Sequence, residues 1–433
     1  MEKAPVPATV SMLERQLRVA LDGGPAVAPL PRLHDGDLPP GTALVVRTSG
    51  STGTPREVAL SADALRASAT ATHERLGGPG RWVLTLPATH VAGLQVVVRS
   101  LLAGDAGVPS PLVAAAPDAR FTPAALAALL APALDDGAPV HVSLVPTQLH
   151  RILAAADDPA TGPGGTGALD ALARCTSVLL GGAATPAPLL ARATAAGVRV
   201  VRTYGMSETA GGCVYDGVPL AGARVRVVPQ GAPTSSGDVG SGEVGVVELG
   251  GPMLAAGYVG DATATARAFR ADDSPSPGSR GARWFRTSDL GVLGPDGVLS
   301  VLGRADDVVV TGGVNVAPAA IEAVLAEVLP ALLGVSAVEP CVVGVPDDEW
   351  GHAVVAVVAL RGASGYGTPD DVGGRSLAPL PGDLLAPVRA AVAERLGAAS
   401  APRRVYLTDT LPVRGPGKTD RREVARAAAA AHP

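Results

Sequence analysis

The hydrophobic positions of the first 250 residues form short runs that alternate with longer segments of helical period. The short runs are rich in Val and Leu, which is typical of strands buried on both faces of a sheet. They are ALVVR (43–47), RWVLTL (81–86), VHVSLV (140–145), SVLLG (177–181) and VRVVRTY (198–204). Helices are predicted between them at 62–76, 92–103, 123–134, 146–156 and 186–196. This alternation favours layered α/β sheets with largely parallel strands.

The pattern changes between residues 224 and 302. Short apolar runs separated by Gly turns, namely ARVRVV, EVGVVELG and VLSVLG, predict a small β-rich subdomain. Segments rich in Gly, Pro, Ser and Asp predict exposed loops at 158–168, 230–242 and 271–283.

The last part of the chain has the pattern of a separate α+β unit. Its predicted strands are DVVVTGG, CVVGV, HAVVAVVAL and RVYLT, and its predicted helices lie at 318–329, at 383–396 and in the final Ala-rich segment. We place the boundary at the GRADD segment, so that a large N-terminal domain covers 1–304 and a small C-terminal domain covers 305–433. The fold class is therefore a multi-domain α/β protein.

Composition and charge narrow the class of protein. The chain has 433 residues, 47% apolar and 17% charged, with a formal net charge of −5. This balance fits a soluble globular protein and gives no support for nucleic-acid binding. The N-terminus has no apolar core of signal-peptide length, and no apolar run reaches the ~18 residues of a membrane span. We therefore expect a cytoplasmic protein.

Cys175, Cys213 and Cys341 are far apart in the sequence. Their odd number and their spacing fit neither a disulfide framework nor a zinc site. The simplest interpretation is three buried free thiols.

The segment LVVRTSGSTGTPRE, residues 44–57, has the composition of a phosphate-binding loop. Its small residues are Thr48, Ser49, Gly50, Ser51, Thr52 and Gly53. Glycines let backbone N–H groups approach an anion, and hydroxyls add further donors. A flexible Ser/Gly loop is the alternative, but the position after a buried strand and before a predicted helix favours phosphate. A Walker A loop is excluded, because the only Gly-Lys-Thr lies at 417–419 and lacks the first glycine.

Five segments, in order, resemble the motifs of the adenylate-forming superfamily, which includes acyl-CoA synthetases, adenylation domains and luciferases. They are RTSGSTGTPRE, TYGMSETAGG (203–212), WFRTSDLGVL (284–293), VLGRADDVVVTGGVNVAP (301–318) and GPGKTDRREV. The matches depart from the usual motifs at Arg56 (usually Lys), Ser207 (usually Thr) and Ser288 (usually Gly).

The resemblance implies an ATP-dependent reaction in two steps. A carboxylic acid and ATP give an acyl-adenylate and pyrophosphate, and the acyl group then passes to a thiol. It further implies Mg²⁺ and coenzyme A as cofactor and co-substrate, and a C-terminal domain that moves between the two steps. No nucleic acid and no membrane span are expected, and a homodimer is left open.

The resemblance also assigns expected roles to individual residues. Glu208 would bind Mg²⁺ together with Ser207. The nucleotide would contact Gly182, Ala183, Tyr204, Gly205, Asp289 and Arg304 in addition to the phosphate loop. The acyl substrate would contact His90, Gly181 and Met206. Without the family, His90 has the simpler interpretation of a structural histidine, Asp289 that of a turn residue, and Gly181–Gly182 that of a strand-to-helix turn.

Lys418 has an expected role in the first step. Lys3 and Lys418 are the only lysines in a chain with 35 basic Lys and Arg residues. The resemblance implies that Lys418 reaches the acyl carboxylate and the phosphates, and a compact cation on a flexible stem suits a group that must enter and leave. Asp306 would be the hinge, and Gly312 and Gly313 would shape the pantetheine tunnel.

The acid is suggested by a closer resemblance. LPATHVAGLQVVVRS, SLVPTQLHRIL, LLGGAATP and GPGKTDRR, with a short N-terminal domain, are similar to the o-succinylbenzoate–CoA ligases of menaquinone biosynthesis. A ligase for another aryl or acyl acid, a stand-alone adenylation enzyme that loads a carrier protein, and a non-catalytic nucleotide-binding module remain as alternatives.

Overall fold

The computed structural model describes residues 7–48, 55–116, 119–157, 163–229, 240–272, 282–335, 337–361, 377–414 and 418–431. The chain divides into two compact units. The first is Met1–Thr185, Leu189–Thr287 and Val292–Ser300, and the second is Pro186–Pro188, Ser288–Gly291 and Val301–Pro433. The domain border expected at 304 and 305 stays a prediction.

The elements of the chain up to residue 304 alternate as the sequence predicts. The helices are α1 (Ala8–Leu21), α2 (Ala62–Arg75), α3 (Val91–Asp105), α4 (Pro123–Ala133), α5 (Pro146–Asp157), α6 (Pro163–Arg174), α7 (Ala187–Ala195) and α8 (Ala262–Ala268). The strands are β1 (Thr42–Thr48), β2 (Arg56–Ser61), β3 (Arg81–Leu84), β4 (Leu112–Ala114), β5 (Val140–Leu144), β6 (Ser177–Leu180), β7 (Val200–Met206), β8 (Gly211–Tyr215), β9 (Val218–Pro219), β10 (Arg224–Val228), β11 (Gly245–Gly250), β12 (Gly257–Tyr258), β13 (Phe269–Ala271), β14 (Arg283–Leu293) and β15 (Leu299–Arg304).

The central sheet has the strand order β4-β3-β5-β6-β7-β8-β9 among the described residues. Strands β4 to β7 pair in parallel, and the last three pair antiparallel. Alternate residues of one strand enter different hydrophobic cores: Trp82 faces one core, and its neighbour Val83 faces the other. This is the two-residue period of a strand covered on both faces, which explains why these strands read as continuous apolar runs.

Two smaller sheets follow, and the second of them includes residues of both units, since Ser288–Gly291 of β14 belong to the second unit. Strands β1, β2 and β12 form an antiparallel sheet, in which Tyr258 is the register partner of Val58. Strands β10, β11, β14 and β13 form the β-rich part, and β15 pairs with β14. The β-rich subdomain expected between 224 and 302 is therefore present.

The elements that follow build the α+β part of the second unit. Its strands are β16 (Val309–Thr311), β17 (Val314–Val316), β18 (Ala337–Asp347), β19 (Gly351–Arg361), β20 (Ala378–Pro379), β21 (Arg404–Thr408), β22 (Val413–Arg414) and β23 (Lys418–Thr419). Its helices are α9 (Pro318–Leu333), α10 (Gly382–Leu396) and α11 (Arg421–Ala430). A sheet of order β18-β19-β21-β20 separates two apolar clusters, one with α9 and α10 and one with α11.

Arg421, the first residue of α11, ties that helix to the body of the second unit. Its guanidinium donates to both oxygens of Glu322 on α9, at 2.6 and 2.8 Å, and to the carbonyl of Val342 at 2.8 Å. Asp307 lies 3.4 Å away on the other side. A planar fork with several donors suits this kind of multiple contact. The segment that carries Lys418 is therefore fixed at its C-terminal end.

The structure corrects three expectations about local elements. The phosphate loop does not lead from a strand into a helix, because β2 follows it and pairs with β1 before α2 begins. The loop expected at 158–168 ends earlier, since α6 begins at Pro163, and residues 158–162 lie outside the described ranges. In the loop expected at 271–283, Ala271 and Arg283 pair in strands, and 273–281 are not described.

A cluster of buried aromatic and imidazole rings is formed by Trp82 and His141, which are register partners on β3 and β5 of the central sheet, and by His73 of α2. Trp82 donates from Nε1 to Nε2 of His73 at 3.2 Å, and its ring centroid is 5.0 Å from that of His141. Nδ1 of His141 is 2.8 Å from the hydroxyl of Ser177. Burial, and then the nearby Arg99 charge, lowers the pKa of His73 from 6.5 to about 4. Burial, then His73 and Arg99, lower the pKa of His141 to about 4 as well.

We predict that this cluster makes the protein less stable in mild acid. The pKa values of the two histidines are lower in the folded than in the unfolded protein, so the unfolded chain takes up protons first as the pH falls. The free energy of unfolding therefore has its full value above pH 6.5 and decreases as the pH falls toward 4. The free energy of unfolding should fall by about 1.4 kcal/mol per pH unit for each histidine in that window. Urea unfolding between pH 7.5 and 5.5 measures this slope. His141→Gln should flatten it, and the exposed His352→Gln should not; equal slopes in all three proteins would contradict the prediction.

We predict that Arg421→Gln loosens the second unit locally. The change leaves Glu322 without its two charge-assisted hydrogen bonds, which costs about 2 kcal/mol. The matched control is Arg395→Gln, because Arg395 makes the same bidentate contact to Glu327 of the same helix but at an exposed position. That control should cost less than about 1 kcal/mol. Hydrogen exchange of α9 and α11 amides in the full chain checks both, and equal loss of protection in the two variants would refute the difference.

Candidate functional site

Several expected site residues follow the carboxyl ends of the parallel strands. His90 lies between β3 and α3, Gly181 follows β6, and Ser207 follows β7. The carboxyl ends of adjacent parallel strands meet at one edge of a sheet, and this edge is where open α/β sheets bind ligands. The central sheet therefore brings the expected acyl-side and nucleotide-side residues of the first unit to a common edge.

Close contacts with neighbouring residues leave little room for side chains at two glycines of this edge. A side chain at Gly181 would lie 2.4 Å from the hydroxyl oxygen of Thr203 on β7, and one at Gly205 would lie 2.1 Å from the carbonyl oxygen of Gly211. Gly182 has a φ of +84° and is exposed together with Ala183. Tyr204 and Met206 alternate with Gly205 and pack against the main apolar core as partly buried residues.

His90 is held at the start of α3. Its ring Nδ1 is 3.0 Å from the hydroxyl of Thr89, and its carbonyl accepts the first helical hydrogen bond from Leu94 at 3.0 Å. The ring is half-buried. Its place in a strand-to-helix loop agrees with the sequence, and its contact with an acyl group stays a prediction.

Glu208 lies on the 3-10 helix Ser207–Thr209, which several contacts pin down. The Thr209 hydroxyl accepts from the Met206 amide at 2.9 Å and donates to the Gly211 carbonyl at 2.7 Å. Ala210 follows with a φ of +50°, and its carbonyl accepts from Ser68 and Gln95 at 3.0 and 2.7 Å. The turn that presents Glu208 is thus set by the core beneath it.

The phosphate loop connects the two strands of a hairpin. Thr48 ends β1, Arg56 begins β2, and the two are register partners. Ser49, Gly50, Ser51, Thr52 and Gly53 lie outside the described residues, so their expected contact with phosphate stays a prediction.

Tyr258 joins this hairpin to Glu208, and no feature of the sequence predicts it. Its hydroxyl donates to Oε1 of Glu208 at 2.9 Å, and the guanidinium carbon of Arg56 lies 5.1 Å from its ring centroid. Burial, then the neighbouring Glu208 carboxylate, raises the pKa of the Tyr258 hydroxyl, which stays a proton donor. A Gly-Tyr pair in a glycine-rich stretch carries no local signal of this long-range contact.

Other expected residues belong to the second unit or its connecting strands. Asp289 lies on β14, and Arg304 ends β15. Asp306 follows in the 3-10 helix Ala305–Asp307, and one of its oxygens is 3.5 Å from Arg304 at an exposed position. The ribose and hinge roles of these residues stay predictions.

Gly312 and Gly313 form the two-residue turn of the β16–β17 hairpin. Their φ values are +54° and +78°, the left-handed pair that such turns require. A side chain at Gly312 would lie 2.6 Å from the ring of Trp350, whose carbonyl accepts from the Gly312 amide at 3.0 Å. Arg403 stacks on the same ring, 4.4 Å from its centroid.

Lys418 lies in a second short hairpin, where its backbone pairs with Arg414. The Asp420 amide donates to the Pro412 carbonyl at 2.7 Å, and the Asp420 side chain caps α11 by accepting from Glu423. The lysine is therefore placed between a paired strand and a capped helix anchored by Arg421.

The donor set at Glu208 fits a cation that arrives with a phosphate ligand. Across the described ranges, no three His, Cys, Asp or Glu side chains are grouped closely enough to hold a metal ion. Mg²⁺ is usually bound through one or two carboxylates, waters and substrate phosphates, without a cage of protein ligands. One half-buried carboxylate beside a Ser hydroxyl meets that requirement.

All three cysteines are buried free thiols, as the sequence predicts. Burial raises the pKa of Cys175, Cys213 and Cys341 to about 12. In the part of the chain that the structure describes, no helix combines the length and apolar character needed to cross a membrane.

Comparison with known proteins agrees with this geometry. The AMP-binding enzyme family matches residues 14–259, and the AMP-binding enzyme C-terminal domain matches residues 320–418. The chain is similar to "Probable 2-succinylbenzoate--CoA ligase" of Mycobacterium tuberculosis, with 40% identity over 97% of this chain and 95% of that protein. It is also similar to "2-succinylbenzoate--CoA ligase" of Geobacillus kaustophilus, with 32% identity over 89% and 69%.

A solved structure shares the fold. The ATP-bound crystal structure of MatB from Rhodopseudomonas palustris has a TM-score of 0.68 and 26% identity, and it covers 90% of this chain and 69% of that one. The family matches take in the strand edge, the hairpin and the Lys418 segment described above. The chain belongs to the AMP-binding enzyme family.

Proposed function

We propose that this protein is an ATP-dependent acid–CoA ligase whose acid is 2-succinylbenzoate. The observation that carries the proposal is the 40% identity to the Mycobacterium tuberculosis ligase, which extends over almost the whole of both chains. Tyr258 contacts both Glu208 and Arg56, which begins β2. This grouping of a carboxylate and a cation next to the expected phosphate loop supports the binding of ATP.

The first step joins two anions. The carboxylate of the acid attacks the α-phosphorus of ATP, and pyrophosphate leaves with the electron pair of the broken P–O bond. A carboxylic acid with a pKa near ~4 is already ionised at neutral pH, so this step needs no general base. The protein must instead lower the repulsion between the two anions and hold them in line.

Residues of the first unit would hold the triphosphate. The amides and hydroxyls of Thr48 to Gly53 cradle phosphate oxygens, and Arg56 adds a positive charge at the start of β2. Gly182, Ala183, Tyr204 and Gly205, on β7 or after β6, would contact the nucleotide. Asp289 and Arg304 are assigned to the ribose by the family motifs.

Glu208 and Ser207 would hold a magnesium ion. That ion, when bound, neutralises charge on the phosphates. Glu208 offers a carboxylate on a turn whose backbone is fixed by Thr209 and by the Ala255 amide, which donates to the Glu208 carbonyl at 2.9 Å.

The second unit would supply the groups that change between the two steps. Lys418 contacts the acyl carboxylate and the phosphates during adenylation. Movement about Asp306 then replaces it by the Gly312–Gly313 hairpin, which shapes a path for the pantetheine arm of CoA. The CoA thiol loses its proton to solvent and its sulfur attacks the acyl carbon; the bond from that carbon to the phosphate oxygen breaks, AMP leaves with the electron pair, and the thioester forms. His90, Gly181 and Met206 are assigned to the acyl group.

We predict that pyrophosphate release with ATP and Mg²⁺ depends strongly on 2-succinylbenzoate. A panel with benzoate, a fatty acid and an amino acid, with and without CoA, measures it. The expected result is release that leads to the CoA thioester for 2-succinylbenzoate and much slower release for the others. Turnover with another acid alone would refute the assignment of 2-succinylbenzoate as the substrate. Absence of pyrophosphate release with every acid would refute the assignment as an acid–CoA ligase.

The acceptor distinguishes the remaining alternatives. If the acyl-adenylate forms but passes only to a phosphopantetheinyl carrier protein, the protein is a loading enzyme. Mass spectrometry of the acylated product separates that result from acyl-CoA.

We predict that Lys418→Ala separates the two steps. Loss of a positioned cation should reduce adenylate formation by about 10²–10³-fold. Thioester formation from separately prepared acyl-adenylate and CoA should change little, because the lysine acts only in the first step. Lys418→Arg is the matched control for charge, and Lys3→Ala is the control for loss of a lysine elsewhere. Equal loss of both steps in Lys418→Ala would contradict the assignment.

A further inference from the structure

Two separate contacts from one segment hold Glu208. The Ala255 amide donates to the Glu208 backbone carbonyl at 2.9 Å, and the Tyr258 hydroxyl donates to its side-chain Oε1 at 2.9 Å. The segment Ala255–Tyr258 therefore fixes both the turn and the carboxylate. A side-chain carboxylate held in this way loses little rotamer freedom when a cation binds.

Tyr258 is itself held rigidly. Its backbone pairs with Val58 on β2, and its amide donates to the hydroxyl of Thr265 at 2.9 Å. Its ring packs edge-on against Phe269 at a centroid distance of 5.9 Å. At Gly257, with a φ of +152°, a side chain would come within 2.5 Å of Thr265. These contacts hold the backbone and the ring of Tyr258 from both sides of the residue.

The chemistry of the contact suits a metal-binding carboxylate. A neutral hydroxyl orients Oε1 without cancelling the negative charge, whereas a Lys or Arg in its place would compete with a cation for that charge. The face of the same ring carries the Arg56 guanidinium, at a distance favourable for a cation–π contact. One side chain thus sets the relative positions of a carboxylate and a cation beside the phosphate loop.

We propose that Tyr258 is a positioning residue that orients Glu208 for the divalent cation bound to the nucleotide triphosphate. This inference rests on the proposed function, because it takes ATP as the ligand. Removal of the hydroxyl removes the hydrogen bond that orients Oε1, so the cation-dependent part of ATP binding is weakened while binding of ATP without the cation is retained.

The test is Tyr258→Phe in the full chain, with ATP binding measured by calorimetry in the absence of acid. The measured quantity is the ratio of ATP affinities with Mg²⁺ and with EDTA. We expect that ratio to fall about tenfold in the variant, the effect of losing one hydrogen bond to a charged group. The Mg²⁺ concentration that gives half-maximal pyrophosphate release should rise by a similar factor.

Two further variants make the result specific. Tyr406→Phe removes a hydroxyl that donates to the Ala431 carbonyl at 2.8 Å in the second unit, and it should leave the ratio unchanged. Glu208→Gln should bring the ratio of ATP affinities with Mg²⁺ and with EDTA close to one. The double variant with Tyr258→Phe should show the same ratio as Glu208→Gln alone, because Tyr258 acts through Glu208.

The outcomes separate this inference from the proposed function. If Tyr258→Phe weakens ATP binding equally with Mg²⁺ and with EDTA, or leaves the ratio unchanged, the positioning role is wrong while the ligase assignment stands. If the unaltered protein binds no ATP and releases no pyrophosphate with any acid, both are overturned.

Discussion

The pairing of β12 with β2 is the interaction on which the site depends. It brings Tyr258 beside Val58 and therefore beside Arg56 and the phosphate hairpin, although these residues are far apart in the sequence. The same segment hydrogen-bonds to the turn that carries Glu208, which follows a strand of a different sheet. Without this short antiparallel pairing, Tyr258 would not link Arg56 of the β1–β2–β12 sheet to Glu208, which follows β7 of the central sheet. Two residues of edge pairing thus determine how Arg56, Tyr258 and Glu208 are arranged.

Much of the fold follows from the period of apolar residues. Strands such as β3 and β6 are covered on both faces, so each appears in the sequence as an unbroken apolar run. Strand β2 is not predicted, because the small residues before it suggest a strand-to-helix turn and the run Glu57–Leu60 is short. The polar members of the core leave no signal at all: His73 and His141 become buried partners of Trp82 and Ser177 only through tertiary packing.

The candidate site divides in the same way. Glu208, Arg304 and Lys418 lie in local motifs with a characteristic spacing, so the sequence alone is enough to assign them expected roles. Tyr258 has no such motif, since its partner is on another strand and a glycine-rich neighbourhood gives no chemical hint. The role of Arg421 likewise depends on contacts with α9 and with Val342. Residues that react can be identified from motifs, whereas residues that hold them in place require the contacts.

The burial of the cysteines has a consequence for the proposed second substrate. Coenzyme A carries a free thiol, and oxidised CoA can form mixed disulfides with any protein thiolate it reaches. Cys175, Cys213 and Cys341 are each buried, with pKa values raised to about 12, so they are neither accessible nor ionised near neutral pH. Burial therefore protects the three protein thiols from forming mixed disulfides with the proposed co-substrate, and the thiol of CoA is the one that the proposed reaction uses.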